Sequence, residues 1–179
     1  MDETEIKLRV PDPAAARETL ARIGATLRLP RHFEDNVLFD DARGTLRAAG
    51  RIVRLRRRDP GEAILTYKGA KRVVEGIRSR EEVESSVGDA AALEAILAGL
   101  GLRPTFRYQK YRESFAWRDA EIVVDETPIG TFLEIEGPPA TIHAAARALG
   151  FDQNDYVTES YGGLFLASGR TGDMVFPDR

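Results

Sequence analysis

Residues 3–10 read Glu-Thr-Glu-Ile-Lys-Leu-Arg-Val, and this stretch decides the fold. Charged side chains occupy positions 3, 5, 7 and 9, whereas Ile6, Leu8 and Val10 take the positions between them. Because side chains in a β-strand alternate between its two faces, the pattern predicts a strand with one charged and one apolar face. A face that carries both carboxylates and cations is typical of a solvated edge or of a site that handles a charged ligand together with a metal ion.

The same alternation recurs along the chain in short charged runs. The members of each run lie two positions apart, so they share one face of a predicted strand. A solvated sheet face is the simpler interpretation of any single run, but ordinary solvated faces mix Thr, Ser and Gln with their charges. The runs are Arg54 with Arg56, Thr66 with Lys68, Arg80 with Glu82 and Glu84, Lys110 with Arg112, and Glu134 with Glu136, and Asp125 has the same setting.

The arrangement of elements predicts an α+β fold built on a closed barrel. We expect about eight strands, helices at 13–24, 89–100 and 138–149, and a short helix at 158–167. Residues 41–50 are predicted to be a turn-rich connection and residues 70–77 a mobile basic loop. Short connections imply antiparallel neighbours, so the strands can close into an eight-stranded antiparallel barrel. We expect a single domain over residues 1–170 and a tail at 171–179.

Composition narrows the classes of function. The chain of 179 residues carries 26 basic and 29 acidic side chains, and this net charge of −3 argues against a nucleic acid polymer or a membrane as partner. The sequence has no cysteine, which excludes a thiolate metal site, and its only two histidines, His32 and His143, argue against a histidine-rich zinc site. Any metal ion would have carboxylate ligands, which favours Mg²⁺ or Mn²⁺. A cytoplasmic location is expected, and the alanine-rich helices leave a homodimer open.

If the helices cover the apolar strand faces, the charged faces point into the barrel. Burying ions costs several kcal/mol each even after relaxation, so a charged lumen is better explained by a ligand than by stability. Arginine forks grip anionic oxygens in pairs, and carboxylates can hold a divalent cation that bridges to phosphate. The predicted ligand is therefore a metal–polyphosphate complex.

The motifs resemble those of CYTH proteins, also called triphosphate tunnel metalloenzymes. Residues 3–7 match the ExExK signature, and residues 38–40, Leu-Phe-Asp, are similar to the family's second motif. Leu46 and Gly50 precede the R-x-R pair at 54–56, and residues 66–69 resemble the family's T-x-K-G strand. The acidic and basic pairs that follow keep the family's order, so the resemblance spans roughly residues 3–165.

This resemblance implies an eight-stranded tunnel that binds a triphosphate-containing small molecule with one or two Mg²⁺ or Mn²⁺ ions. The implied metal ligands are Glu3, Glu5, Glu134 and Glu136, with Asp125 acting directly or through water. The implied substrate-binding residues are Lys7, Arg54, Arg56, Lys68, Arg80, Glu82, Lys110 and Arg112. Of these positions, Glu5, Glu136, Lys68 and Arg56 are expected to act most directly in catalysis.

Three activities fit the resemblance. The first is hydrolysis of inorganic, nucleoside or thiamine triphosphate, with the cations stabilising charge on the transferring phosphoryl group. The second is a class IV adenylate cyclase, in which the ribose 3′-hydroxyl of ATP replaces water. Such cyclases often carry a His-Phe pair just before ExExK, and only Met1 and Asp2 precede Glu3 here, which favours hydrolysis slightly. The third is a polyphosphate- or nucleotide-binding module without turnover.

Overall fold

The computed structural model describes residues 2–177, and its centre is a closed antiparallel β-barrel. The strands are β1 (Asp2–Val10), β2 (Thr26–Asp40), β3 (Ile52–Arg58), β4 (Glu62–Lys68), β5 (Arg72–Val74), β6 (Ile77–Val87), β7 (Arg103–Trp117), β8 (Ala120–Thr127) and β9 (Gly130–Glu136). The helices are α1 (Pro13–Arg22), α2 (Thr45–Ala48), α3 (Ala90–Gly99), α4 (Pro139–Leu149) and α5 (Tyr161–Ala167), with a 3-10 turn at Gln153–Asp155.

The strands follow the order β1-β9-β8-β7-β2-β3-β4-β6-β5, and a further pairing of β1 with β6 closes the sheet. Eight strands thus form the barrel, and β5 is an extra strand at the outer edge of β6. The predicted α+β fold and closed eight-stranded antiparallel barrel are confirmed. Each strand keeps the two-residue alternation, because one face meets the helices and the other faces the lumen.

Apolar cores lie outside the barrel wall. Helices α1 and α4 cover β1, β8 and β9 through a cluster that includes Leu8, Leu20, Ile135 and Ile142. Helix α3 covers β2, β3 and β4 in a second cluster centred on Leu55. In the described part of the chain, no helix combines the length and the apolarity needed to cross a lipid bilayer.

A third apolar cluster lies on the lumen side of the wall. Phe132 of β9 packs against Tyr161 and Phe165 of α5 and against Met174, and Phe106 and Tyr108 of β7 border them. Helix α5 therefore enters one part of the tunnel instead of covering the outside. Residues 171–177 continue this contact, since Met174 hydrogen-bonds to the backbone of β7.

Two predicted connections contain regular structure. The loop prediction for 70–77 is wrong for Arg72–Val74, which pairs with Ile77–Ser79 as a hairpin. Its two-residue turn, Glu75 and Gly76, has positive φ at both positions, the geometry that matches the twist of paired strands. In the connection 41–50, α2 forms one helical turn because the Asp40 carboxylate accepts two of its free N–H groups.

The predicted helix at 158–167 begins at Tyr161. The Ser160 hydroxyl accepts a hydrogen bond from the N–H of Gly163, which places the helix N-terminus at Ser160. This start places Tyr161 in the first turn of α5, facing the tunnel.

Candidate functional site

The lumen holds a cavity of about 130 Å³ with charged walls. Strand alternation brings the side chains in from β1, β3, β4, β6, β7, β8 and β9. Eight cations face it, against five carboxylates, so the wall is cationic although the whole chain carries a net charge of −3. The cations are Lys7, Arg54, Arg56, Lys68, Arg78, Arg80, Lys110 and Arg112, and the carboxylates are Glu3, Glu5, Glu121, Glu134 and Glu136.

Lys68 connects two carboxylates at one side of the cavity. Its Nζ lies 2.7 Å from Glu3 Oε2 and 2.8 Å from Glu82 Oε2. Burial opposes ionisation of Glu3, but its hydrogen bond with Glu82 and the charge of Lys68 together lower the pKa of Glu3 to about 2. Burial and the same hydrogen bond raise the pKa of Glu82 to about 7. The pair therefore shares one proton, which resides on Glu82 at acidic pH.

Glu5 and Glu136 are paired neighbours on β1 and β9. The Glu5 carboxylate forms an ion pair with Arg78. Burial and the charges of Glu3 and Glu121 raise the pKa of Glu136 to about 7. Glu3 and Glu121 thus contribute to the raised pKa together with burial, and carboxylates gathered at this end of the cavity would favour a cation.

Glu134 is held between two cations in the centre of the wall. Lys7 Nζ lies 2.9 Å from Glu134 Oε1, and Arg112 Nη2 donates to Glu134 Oε2. Burial opposes ionisation, but these cations keep the pKa of Glu134 well below its usual range. The two cations therefore favour the ionised form of Glu134.

Asp125 contacts Arg112, one of the two cations that hold Glu134, and has no exposed surface. Its Oδ1 accepts a hydrogen bond from Arg112 Nε at 2.7 Å. Its Oδ2 accepts from Arg112 Nη2 at 2.6 Å, from Lys110 Nζ at 3.0 Å and from Tyr161 Oη at 2.8 Å. The carboxylate thus fixes two of the cations that line the cavity.

Arg54 and Arg56 form the opposite wall. Arg54 Nη2 donates to Thr66 Oγ1 and to Glu84 Oε1, both at 3.2 Å. Arg56 Nη1 lies 3.6 Å from the buried Glu34. Among residues 2–177, the Nε–H groups of both arginines are buried with no hydrogen-bond acceptor. Both arginines line the cavity, so their guanidinium groups are placed to meet an anionic ligand.

Arg80 also lines the cavity, but its guanidinium donates to backbone carbonyls. It reaches Gly69 O at 3.0 Å from Nε and Gly50 O at 3.1 Å from Nη2. In this conformation Arg80 ties the connections after β4 and before β3 to the tunnel wall. Its predicted role in substrate binding stays a prediction.

Sequence reasoning missed several lumen residues. Arg78, Tyr108 and Glu121 all line the cavity, and each falls two or four positions from a predicted site residue on the same strand. Extending the two-residue period along each strand would have found them. Tyr161 could not be found in this way, because it comes from a helix and reaches the lumen only through tertiary packing.

The acidic end of the cavity has oxygen donors of the kind that a divalent cation binds. These donors are not arranged as a preformed coordination sphere. Across residues 2–177, no three His, Cys, Asp or Glu side chains converge in a metal-binding arrangement. Glu3, Glu5 and Glu134 are each paired with a Lys or Arg. Carboxylate oxygens are nevertheless the ligands that Mg²⁺ and Mn²⁺ prefer, and Glu3, Glu5, Glu121, Glu134 and Glu136 all line the cavity.

Comparison with known proteins identifies the family. The CYTH domain matches residues 1–161. The chain belongs to the CYTH family. Its CYTH domain is 28% identical over 150 residues to "Putative adenylate cyclase MJ0240" of Methanocaldococcus jannaschii, covering 83% of this chain and 84% of the relative.

Solved structures share the fold of this CYTH domain. A Vibrio parahaemolyticus protein with the same cyclase description has a TM-score of 0.81 at 19% identity, covering 92% of this chain and 97% of its own. The Hippeastrum protein HpAC1 has a TM-score of 0.69 at 21% identity, covering 94% and 97%. The Pyrococcus horikoshii protein PH1819 has a TM-score of 0.75 at 23% identity, covering 93% and 99%. CYTH family members are enzymes of the adenylate cyclase and triphosphatase types.

Proposed function

We propose that this protein hydrolyses a short triphosphate with Mg²⁺ or Mn²⁺, and that the cationic lumen is the substrate site. The observation that carries the proposal is the excess of cations over carboxylates around the tunnel cavity. A triphosphate supplies anionic oxygens for the guanidinium groups of Arg54 and Arg56, which line the cavity. The wall of β-strands holds these groups in place before the ligand arrives, as electrostatic catalysis requires.

The size of the cavity favours a phosphate chain over an entire nucleotide. Pockets for drug-sized ligands usually span about 300–1,000 Å³, whereas this one holds about 130 Å³. Inorganic triphosphate is therefore the preferred substrate in this proposal. The Hippeastrum neighbour HpAC1, which is described as having a dominant triphosphatase activity, supports hydrolysis in a protein of the same fold.

In this proposal, cations on both walls of the lumen hold the substrate. Lys7, Lys110 and Arg112 on one side and Arg54 and Arg56 on the other hold phosphate oxygens. The proposed metal ligands are Glu3, Glu5, Glu134 and Glu136, and a divalent cation bound to them would neutralise phosphate charge and orient the substrate. The charged groups that line the lumen stabilise the charge that spreads over the transferring phosphoryl group.

Adenylate cyclase activity is the second candidate. The names of the Methanocaldococcus and Vibrio proteins favour it. ATP would bind with its triphosphate in the same lumen, and its ribose hydroxyl would attack instead of water. The base and sugar would then extend beyond the cavity, which is too small for the whole nucleotide.

A product assay separates the candidates. Purified protein is incubated with tripolyphosphate, thiamine triphosphate or ATP, each with Mg²⁺ or Mn²⁺, and orthophosphate, pyrophosphate and cyclic AMP are resolved. We expect orthophosphate release, fastest from tripolyphosphate. Cyclic AMP with pyrophosphate as the main products would refute the hydrolase proposal. Tight binding of all three without turnover would instead support a binding module.

Site variants test the assignment of the carboxylates. Glu5→Gln removes a proposed metal ligand and should reduce metal-dependent turnover at least 100-fold, since one misplaced charge at the reacting centre costs about that much. Glu18→Gln on the exposed surface of α1 is the matched control and should keep full activity. Wild-type turnover in Glu5→Gln, at saturating metal, would remove Glu5 from the metal site.

A further inference from the structure

Helix α5 places one tyrosine among the charged groups of the tunnel. Tyr161 is buried, and its hydroxyl donates to Asp125 Oδ2 at 2.8 Å. Its ring lies under two lysines, with Lys7 Nζ 4.5 Å and Lys110 Nζ 5.6 Å from the ring centroid. The ring also meets Phe132 edge-on at 5.2 Å. A single side chain from outside the barrel strands thus contacts the anion and two of the cations.

The Asp125 carboxylate accepts four hydrogen bonds from its protein partners. Arg112 supplies two donors, and Lys110 and Tyr161 supply one each. Three of these donors converge on Oδ2, and one reaches Oδ1. A metal ion at Oδ2 would therefore have to displace a donor, which would release either a cation of the cavity wall or the hydrogen bond to α5.

We infer that Asp125 and Tyr161 form a positioning pair, in which Tyr161 holds the buried carboxylate and the carboxylate aims Arg112 and Lys110 at the ligand. This inference rests on the proposed function, because it takes the cations to be phosphate-binding groups. It gives Asp125 a role behind the wall in place of the metal-ligand role predicted from the sequence. It also gives α5 a part in the site, since the position of Tyr161 depends on packing of the helix in the tunnel.

The hydroxyl of Tyr161 can be removed by substitution without changing the ring that carries it. Tyr161→Phe keeps the ring, its contact with Phe132 and its place beneath the lysines. It removes one hydrogen bond to a buried charged group. Bonds of that type are worth about tenfold or more in an equilibrium constant. Tyr156→Phe is the matched control, because the Tyr156 hydroxyl pairs with His143 away from the cavity lining.

Two measurements test the pair. The first is the Kd for tripolyphosphate by calorimetry in EDTA, which needs no turnover and no metal. The second is hydrogen exchange of the Arg112 Nε–H group in ligand-free protein by ¹⁵N-edited NMR, which reports how firmly Asp125 holds the guanidinium. Thermal unfolding by circular dichroism checks that each variant is folded.

We expect Tyr161→Phe to bind tripolyphosphate about tenfold more weakly and to exchange the Arg112 proton faster, with Tyr156→Phe unchanged in both. Asp125→Asn should weaken binding further, and adding Tyr161→Phe to it should have little extra effect, because the hydroxyl acts through the carboxylate. Unchanged exchange in Tyr161→Phe would overturn the inference, whatever happens to the Kd. Faster exchange in Tyr161→Phe, together with a wild type that does not bind tripolyphosphate, would support the pair and refute the proposed substrate.

Discussion

At the scale of single residues, the buried charges of this lumen form ion pairs with one another, so removing one charge leaves another without its partner. Lys68 illustrates the point, because its ammonium group neutralises Glu3 and also contacts Glu82. All three side chains are largely buried. Breaking a buried pair by deleting one member is strongly destabilising, since the remaining charge has neither water nor partner.

Lys68→Met should therefore lower stability by about 3 kcal/mol, or about 6–12 °C in Tm for a chain of this length. The double variant Lys68→Met/Glu3→Gln should recover part of the loss, because it also removes the orphaned carboxylate. Lys71→Met is the control, as its ion pair with Glu159 is exposed and contributes little. Chemical and thermal unfolding provide the measurement. Equal losses in the Lys68 and Lys71 variants would contradict this account of the lumen.

Glu136 gives a pH-dependent prediction. Its pKa is raised to about 7 in the folded protein from 4.5, so the folded state holds a proton that the unfolded state releases between these values. The contribution of Glu136 to the stability of the metal-free protein is therefore most favourable below pH 4.5, and this advantage is lost as pH rises through 7. Glu136→Gln cannot ionise and should avoid that loss.

We expect Glu136→Gln to raise Tm in EDTA at pH 8 by about 2–4 °C, which allows for solvent screening of a partly exposed group. At pH 4, below both pKa values, Glu136 is mostly protonated in the folded and the unfolded state, so the difference should nearly vanish. Glu18→Gln serves again as the surface control. A Tm difference of the same size at both pH values would show that the substitution acts through packing and not through ionisation.

At the scale of elements, two connections acquire regular structure from the strands they join. The β5–β6 hairpin forms because β6 offers a free edge to Arg72–Val74. Its turn puts a non-glycine residue, Glu75, at φ 52° ahead of Gly76 at φ 76°. Both angles fit the turn type in which Asn-Gly is the preferred pair, so Glu75 is a poor choice for its position.

Glu75→Asn should stabilise the hairpin by about 0.5–1 kcal/mol, or about 1–4 °C in Tm, because asparagine tolerates the left-handed region better. Gly76→Ala should do the opposite, since it adds strain and places a Cβ 3.3 Å from the Tyr156 ring. Differential scanning calorimetry of both variants measures the effect. Destabilisation by Glu75→Asn would show that the turn differs in solution.

At the scale of the whole molecule, the net charge of the chain and the charge of the cavity wall have opposite signs. The net charge is −3, yet the cavity wall carries more cations than carboxylates. An anion with several charged oxygens should therefore be drawn into the lumen in spite of the acidic exterior, and its binding should be sensitive to salt. Because a ligand that binds only the folded state stabilises it, this preference can be measured without turnover.

Tripolyphosphate at about 100 times its Kd should stabilise the metal-free protein by about 2.7 kcal/mol, or about 5–10 °C in Tm. Sulfate at matched ionic strength should give a much smaller shift, because it cannot reach both walls of the lumen at once. Thermal shift titrations with both anions provide the comparison. Equal shifts would indicate general anion screening at the surface and would count against a triphosphate site.

The sequence by itself determined the barrel and most of its lining. Strand alternation has a fixed period, so the charged run at 3, 5 and 7 and the pairs at 54 and 56 or 110 and 112 had to share faces. Apolar residues on the opposite faces required cover, and the amphipathic helices supplied it. The same local rule could have been carried further to Arg78 and Tyr108, which lie on faces already identified.

Only the tertiary structure decided which charges pair and how the tunnel is filled. A strand pattern gives the face of Asp125 but not its partners, which come from β7 and from α5. Tyr161 is separated from Asp125 by 36 residues, and no local period relates a helix to the lumen of a barrel. The choice between a metal ligand and a positioning group depends on these long-range contacts, because the role of a carboxylate follows from the donors that surround it in space.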